Sequence, residues 1–237
     1  MDIIGAMEKE REYLSFRMKG EEPFHLVDAV KEYGFDTLKA FFDAKKNYEF
    51  SQLKFEVVEK VPEEAIAGVF DIIEKQKTAV LFVESDKTFV WNGNSGHYNA
   101  EYCSDCDIPI YPIYAAGGTI VSTPGDLSIG ICLPSKVGAN SNYILNKFAE
   151  IFRKYTQNLV EVSGNDLIVA GTKVLGSSEY YKNDAFMWVS LISLSDKKEL
   201  ISKICLKHSI KQPGYIDFMT QKQLKQEIEE WLKIVSF

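Results

Sequence analysis

The chain has 237 residues, of which 46% are hydrophobic and 26% charged, with a formal net charge of −7. That much apolar material can bury a full core, which excludes disorder as the dominant state. The acidic balance excludes generic attraction to nucleic acid or to an anionic membrane surface, since both need a concentrated basic face.

No apolar run approaches the roughly 18–20 residues of a membrane-spanning helix, and residues 1–11 become charged too soon to supply the apolar region of a signal peptide. The expectation is a cytoplasmic protein with neither a nucleic-acid nor a membrane partner. Residues 1–51 read as a small N-terminal helical extension, with Leu26, Val27 and Val30 in one stripe and Leu38, Phe41 and Phe42 in another after Gly34. Residues 52–237 read as the main domain.

Within that domain a helix is predicted over 63–76, with Ala65, Ile66, Val69, Phe70 and Ile73 on one face and Pro62 at the first turn, where its missing N–H is harmless. Runs at 78–83 and 88–91 are β-rich and are separated by the polar Glu84-Ser85-Asp86-Lys87, a pattern that predicts a hairpin. Asn92-Gly93-Asn94-Ser95-Gly96 then makes a turn.

Cys103, Cys106, Cys132 and Cys205 are expected to be free thiols. Cys103-Ser104-Asp105-Cys106 has zinc or redox spacing and is placed near a strand end, but a structural zinc site takes four ligands, and Cys132 and Cys205 stand alone in apolar segments. No metal ligand set is assigned.

Strands are predicted over 108–114 and 129–133, then a helix from about Asn140 with Ile144, Phe148, Ile151, Phe152 and Tyr155 on its inner face. A second hairpin is expected from 158–162 and 167–169 around Ser163-Gly164-Asn165. Residues 185–192 alternate as a strand, with Met187 and Trp188 on opposite faces. A helix near 195–206 follows. The last helix begins at Thr220, where Gln223 completes a capping box and Leu224, Ile228, Trp231 and Leu232 form the apolar stripe. Successive hairpins, in place of alternating strands and helices, predict an α+β fold: a largely antiparallel or mixed central sheet flanked by helices.

Two places carry the candidate chemistry. Consecutive glycines at Gly117-Gly118 let backbone approach a ligand closely and can present bare amide hydrogens; between strands the same pair also serves as a tight bend. Lys173 lies just past the turn Gly171-Thr172. From a strand it can neutralise an incoming carboxylate and stabilise charge developing on a phosphoryl or carbonyl oxygen; at a hairpin tip it can equally be a solvated surface residue. His25, His97 and His208 lie near no serine elbow, so a nucleophile triad has no support. Asp126 and Asp166 form no defined acid–base pair in sequence.

The run Asn165-Asp166-Leu167-x-Val169-x-Gly171-x-Lys173-x-x-Gly176-Ser177 resembles the signature of the biotin/lipoate protein ligase superfamily and is most similar to lipoate-protein ligase. Upstream, Gly117-Gly118-Thr119-Ile120-Val121 resembles that family's glycine-rich lipoyl-binding strand, and Asn92-Gly93-Asn94 falls where the family has an asparagine-bearing turn. The resemblance covers roughly residues 52–237. It implies that Lys173 contacts the substrate carboxylate and the adenylate phosphate, and that Gly117 and Gly118 line the acyl pocket. Asn165 would face phosphate or its Mg2+, with Asn94, Thr119, Asp166, Gly176 and Ser177 completing the substrate and nucleotide site.

The implied reaction joins lipoate and ATP into lipoyl-adenylate, then passes the acyl group to a lysine of an acceptor lipoyl-domain protein. Three features depart from that pattern. Ile113-Tyr114-Ala115-Ala116 stands where the family has arginines and a serine before its glycines, Trp188-Val189-Ser190 replaces a histidine-glycine-threonine stretch, and Thr172 replaces an arginine. An ATP-independent acyltransferase and a non-catalytic acyl- or partner-binding relative are the alternative readings.

Overall fold

A computed structural model of the chain describes residues 55–74, 78–93, 95–113, 117–134, 141–182, 185–206 and 211–234. The chain divides into two units, Met1–Phe50 and Ser51–Phe237, and all described residues lie in the second. The helical reading of residues 1–51 therefore falls outside them.

The architecture is mixed α+β, built on a seven-stranded sheet and a three-stranded sheet. Strands β1 (Glu56–Lys60), β2 (Ala79–Val83), β6 (Leu127–Pro134), β7 (Val160–Ser163), β8 (Asp166–Val169), β9 (Thr172–Lys182) and β10 (Ala185–Ile192) make the larger sheet, in the order β1-β2-β6-β10-β9-β8-β7. Only the β1–β2 pair in it is parallel. Strands β3 (Phe89–Asn92), β4 (Ile110–Pro112) and β5 (Thr119–Ser122) form the smaller sheet, with β3 central. The helices are α1 (Pro62–Glu74), α2 (Ala100–Asp105), α3 (Ser141–Arg153), α4 (Lys198–Ile204) and α5 (Gln221–Ile234).

The hairpin expected from residues 78–91 does not form. β2 pairs with β1 and β6 in the large sheet, whereas β3 pairs with β4 and β5 in the small one. All five residues of β2 are buried, the property of a central strand covered on both faces. The connection turns the chain from one sheet to the other, with Lys87 N–H donating to Ser85 Oγ at 3.0 Å.

Alternation along β10 sorts the core into two sides. Phe186 and Trp188 face α3, where Trp188 stacks on Phe148 with ring centroids 5.3 Å apart. Burying each such phenylalanine contributes roughly 1.5–3 kcal/mol. On the other side Ala185 and Met187 join Ala65 and Ile72 of α1 with Phe89 and Trp91 of β3, and Val189, Tyr180 and Ile120 pack against that cluster. The small sheet thus lies over this face, and its far side packs on α2 and α4 through Val90, Val121, Cys103 and Ile204.

Local signals set several element ends. Thr220 N–H donates to Gln223 Oε1 at 2.9 Å, and Gln223 N–H returns to Thr220 Oγ1 at 3.2 Å, the reciprocal capping box expected at α5. The β7–β8 hairpin turns on Gly164 and Asn165, with Gly164 at φ +64° as the first central residue of a two-residue turn demands. Tyr155, expected on the inner face of α3, lies beyond the helix end and is 38% exposed, its hydroxyl donating to Glu227 Oε1 at 2.5 Å. The Cys103–Cys106 stretch forms α2 and its C-terminal cap instead of a strand end, because Asn99 Oδ1 accepts from Tyr102 N–H and starts a helix there.

One buried ion pair fastens the layers together. Asp126, in the β5–β6 connection, accepts from Thr123 N–H at 2.8 Å, Thr123 Oγ1 at 2.9 Å, Leu194 N–H at 2.8 Å and the Lys197 ammonium. Its backbone carbonyl accepts from Gln221 Nε2 at 2.9 Å. Both side chains are almost wholly buried. Burial pulls the Lys197 ammonium below the usual lysine range, against the opposing pull of Asp126.

Candidate functional site

Lys173 sits at a register irregularity. β8 and β9 pair Leu167 with Leu175 but Ile168 with Lys173, so β9 carries one extra residue at that point. Such a bulge redirects a side chain that strict alternation would send to the other face. A Cβ built on Gly176 would lie 2.7 Å from Lys173 Cε and 2.8 Å from Lys173 Nζ, so the lysine folds back over the bare glycine. Gly176 pairs across the ladder with Leu191 and with Asp166, and alternation puts it on the face shared by Val189 and Met187. That is the face covered by the small sheet. The Lys173 ammonium meets Asp166 Oδ1 at 2.8 Å, with the two side chains 31% and 16% exposed.

A residue that sequence reasoning missed completes this group. Lys211 Nζ donates to Asp166 Oδ2 at 2.7 Å and to the Ser163 carbonyl at 2.6 Å. Its segment lies alongside β9: Lys173 N–H donates to Gln212 O, and Gly214 N–H donates to Lys173 O, each at 2.8 Å. Gly214 permits this approach, since a Cβ there would come within 2.1 Å of Thr172 Oγ1. The available signal was the Lys211-Gln212-Pro213-Gly214 sequence, which reads as an ordinary turn until its partner strand is known.

Asn165 and Ser177 join the group through backbone: Ser177 N–H and Oγ both donate to Asn165 O, at 2.8 and 2.9 Å. Ser177 pairs with Ser190, so alternation sends its side chain to the sheet face opposite Gly176. The turn before Lys173 places both Ala170 and Gly171 at positive φ, +49° and +77°.

The glycine pair belongs to a second group, on the small sheet. Gly93 N–H donates to Gly118 O at 3.0 Å, while Ser95 donates to Gly117 O through its N–H at 3.0 Å and its hydroxyl at 2.7 Å. The carbonyls are therefore turned toward Gly93 and Ser95, and the approach is so close that a Cβ on Gly93 would come within 2.5 Å of Gly117 O. Among the described residues neither glycine amide finds a backbone acceptor. A Cβ on Gly117 or Gly118 would meet nothing within 4 Å, so this backbone borders open space. Thr119 Oγ1 bonds Asn92 Oδ1 at 2.9 Å. Asn94 lies outside the described residues.

The structure thus unites Lys173, Asp166 and Gly176 around one carboxylate, gathers Gly117, Gly118 and Thr119 on the facing layer, and shows no direct bond between the groups. Asp126 and Asp166 do not meet, each being held by its own lysines. A cavity of about 790 Å³ lined by Tyr102, Thr123, Pro124, Ser195, Lys197 and Lys203 includes none of the predicted site residues. His97 is exposed, and His25 and His208 lie outside the described residues. Among the described residues no three His, Cys, Asp or Glu side chains gather as a metal site.

No protein-family model matches this sequence, and no curated protein matches it either. Solved structures do. The chain superimposes on P. falciparum LipL1 in complex with lipoate with a TM-score of 0.63 at 12% identity, covering 76% of this chain and 62% of that one. The match thus spans less than two thirds of that relative's length. A bi-partite lipoate protein ligase from Thermoplasma acidophilum, studied with its E2 lipoyl domain, gives 0.62 at 12% identity over 78% of this chain and 83% of that one. Lipoate-protein ligase A bound with ATP gives 0.63 at 11% identity over 78% and 85%. At this identity the likeness establishes the fold, which is that of the lipoate-protein ligases.

Proposed function

We propose that this chain activates a lipoate-type carboxylic acid with ATP and transfers the acyl group to a lysine of an acceptor protein. The observation that carries the reading is a lysine on a strand bulge, folded over a glycine and held by one carboxylate on the sheet face toward the glycine pair, within a fold shared with lipoate-protein ligases.

In the first step a carboxylate oxygen of the acid attacks the α-phosphorus of ATP, the bond to the β-phosphate breaks, and pyrophosphate leaves. In the second the acceptor amine attacks the acyl carbon, the bond to AMP breaks, and the amine proton passes to solvent. Lys173 neutralises the carboxylate so that it can approach a polyanion, then follows the charge growing on the phosphoryl oxygens, a preorganised electrostatic effect. The bare backbone at Gly117 and Gly118 gives the acyl chain close approach. Both Asp166 oxygens already face ammoniums, so a Mg2+ ion would enter with the nucleotide and draw most of its ligands from phosphate oxygens and water, as is its habit.

The test is pyrophosphate release over a panel of small carboxylic acids with ATP and magnesium. Lys173→Ala is expected to lower the rate by about 10²–10³, the typical loss of one transition-state donor. Release unchanged by that substitution overturns the reading. A second reading, an acyl- or partner-binding protein without catalysis, is favoured by the lack of any basic residue from Ile113 to Gly118. It predicts stabilisation by the acid with no pyrophosphate formed.

A further inference from the structure

We infer that Lys211 is a second phosphate-binding cation, which together with Lys173 makes a two-pronged site for a diphosphate group whose resting occupant is the Asp166 carboxylate. The ligand class rests on the adenylating reading above, but the geometry stands without it.

The two ammoniums grip different oxygens of one carboxylate, Lys173 on Oδ1 at 2.8 Å and Lys211 on Oδ2 at 2.7 Å. Carboxylate dimensions then hold them no more than about 8 Å apart, a span that a diphosphate bridges. Two ammoniums thus converge on one carboxylate, in a chain whose overall charge is −7. Each of the three side chains is partly exposed, so an incoming anion can reach them.

The pairing is built, not incidental. The 212–214 segment is bound to both backbone polar groups of Lys173, so the chain leading from Lys211 is docked at the residue whose side chain shares its anion. The close approach requires Gly214. Lys211 is further fixed by the Ser163 carbonyl at the end of β7, which sets its direction independently of Asp166. The glycine-pair segment, residues 113–118, carries no basic residue, so cationic contacts to a polyphosphate must come from elsewhere, and this pair supplies them. A diphosphate offers more charge and more acceptor oxygens than the single carboxylate, and the ammoniums can exchange one for the other by side-chain rotation alone.

The experiment is calorimetric titration of inorganic pyrophosphate into the full chain, compared across wild type, Lys211→Gln and Lys211→Arg, with octanoate titrated in parallel and thermal unfolding as the control for folding. Lys211→Gln is expected to weaken pyrophosphate at least tenfold while octanoate affinity stays within twofold, and Lys211→Arg to stay within about threefold of wild type for both. Equal pyrophosphate affinity in wild type and Lys211→Gln, or no binding by folded wild type, overturns the inference. The two readings fail separately. Pyrophosphate binding through Lys211 without any acid-dependent release removes the ligase reading alone, whereas release with an unchanged KM for ATP in Lys211→Gln removes this one alone.

Discussion

Replacing Gly176 with alanine separates function from stability at a single atom. The new Cβ would stand 2.7 Å from Lys173 Cε, 2.8 Å from Lys173 Nζ and 3.5 Å from Asp166 Oδ1. Carbon contacts settle near 3.5–4.0 Å, so the ammonium must retreat by about 1 Å. It is the far end of a flexible side chain and can do so without moving the sheet. The contact it leaves is an ion pair with its lysine about one-third exposed, worth less than about 1 kcal/mol, and alanine in a strand recovers part of that relative to glycine. Melting should shift by no more than about 2–4 °C. A misplacement of about 1 Å at a reacting group, by contrast, costs on the order of 100-fold in rate. Acid-dependent pyrophosphate release measured beside thermal unfolding is the assay. A folded Gly176→Ala protein with wild-type release would refute the placement of Lys173, and so would a loss of activity that merely tracked a loss of fold.

Asp126→Ala strands the nearly buried Lys197 and two backbone donors, so urea unfolding should show a loss of about 3–5 kcal/mol; Lys197→Met, which leaves Asp126 four other donors, should lose clearly less. Ala170, at φ +49° in a turn that favours asparagine or glycine, should gain about 1 kcal/mol in thermal or urea unfolding when changed to Asn, and a loss would contradict the strained turn. Burial pushes Cys132 and Cys205 up to about 11 and also raises Cys103, so at pH 8 a native chain should react quickly with a thiol reagent at Cys106 alone among these and at the rest only on unfolding. The same shift sets a sign for Cys132. Between its ordinary value of 9.0 and about 11 the unfolded chain has lost a proton that the native chain keeps, so its contribution to stability falls as pH rises, and Cys132→Ala should flatten that part of the pH curve.

What was legible in the sequence was what neighbouring residues decide. The capping box at Thr220 and Gln223, the Gly164 turn and the alternation of β10 each depend on a few adjacent side chains, and each stands where expected. Sheet membership does not depend on neighbours. The apolar runs that became β2 and β3 are both short, and only partners twenty or more residues away send one to the large sheet and the other to the small one. The site divides along the same line. The spacing from Asn165 to Ser177 marked Lys173 and Asp166, but the bulge that turns the lysine exists only in the register with β8, and Lys211 becomes relevant only when the 212–214 segment docks on β9. Ser177 shows the converse: it falls within the motif, yet its hydroxyl is engaged by the carbonyl of the preceding turn.

The backbone of Lys173 is flanked by β8 on one side and by the 212–214 segment on the other. Its root is therefore immobile, and all of its adaptability resides in four side-chain torsions. No loop swing can carry this charge to a distant guest; an anion bound through Lys173 would have to come within one lysine's length of the strand.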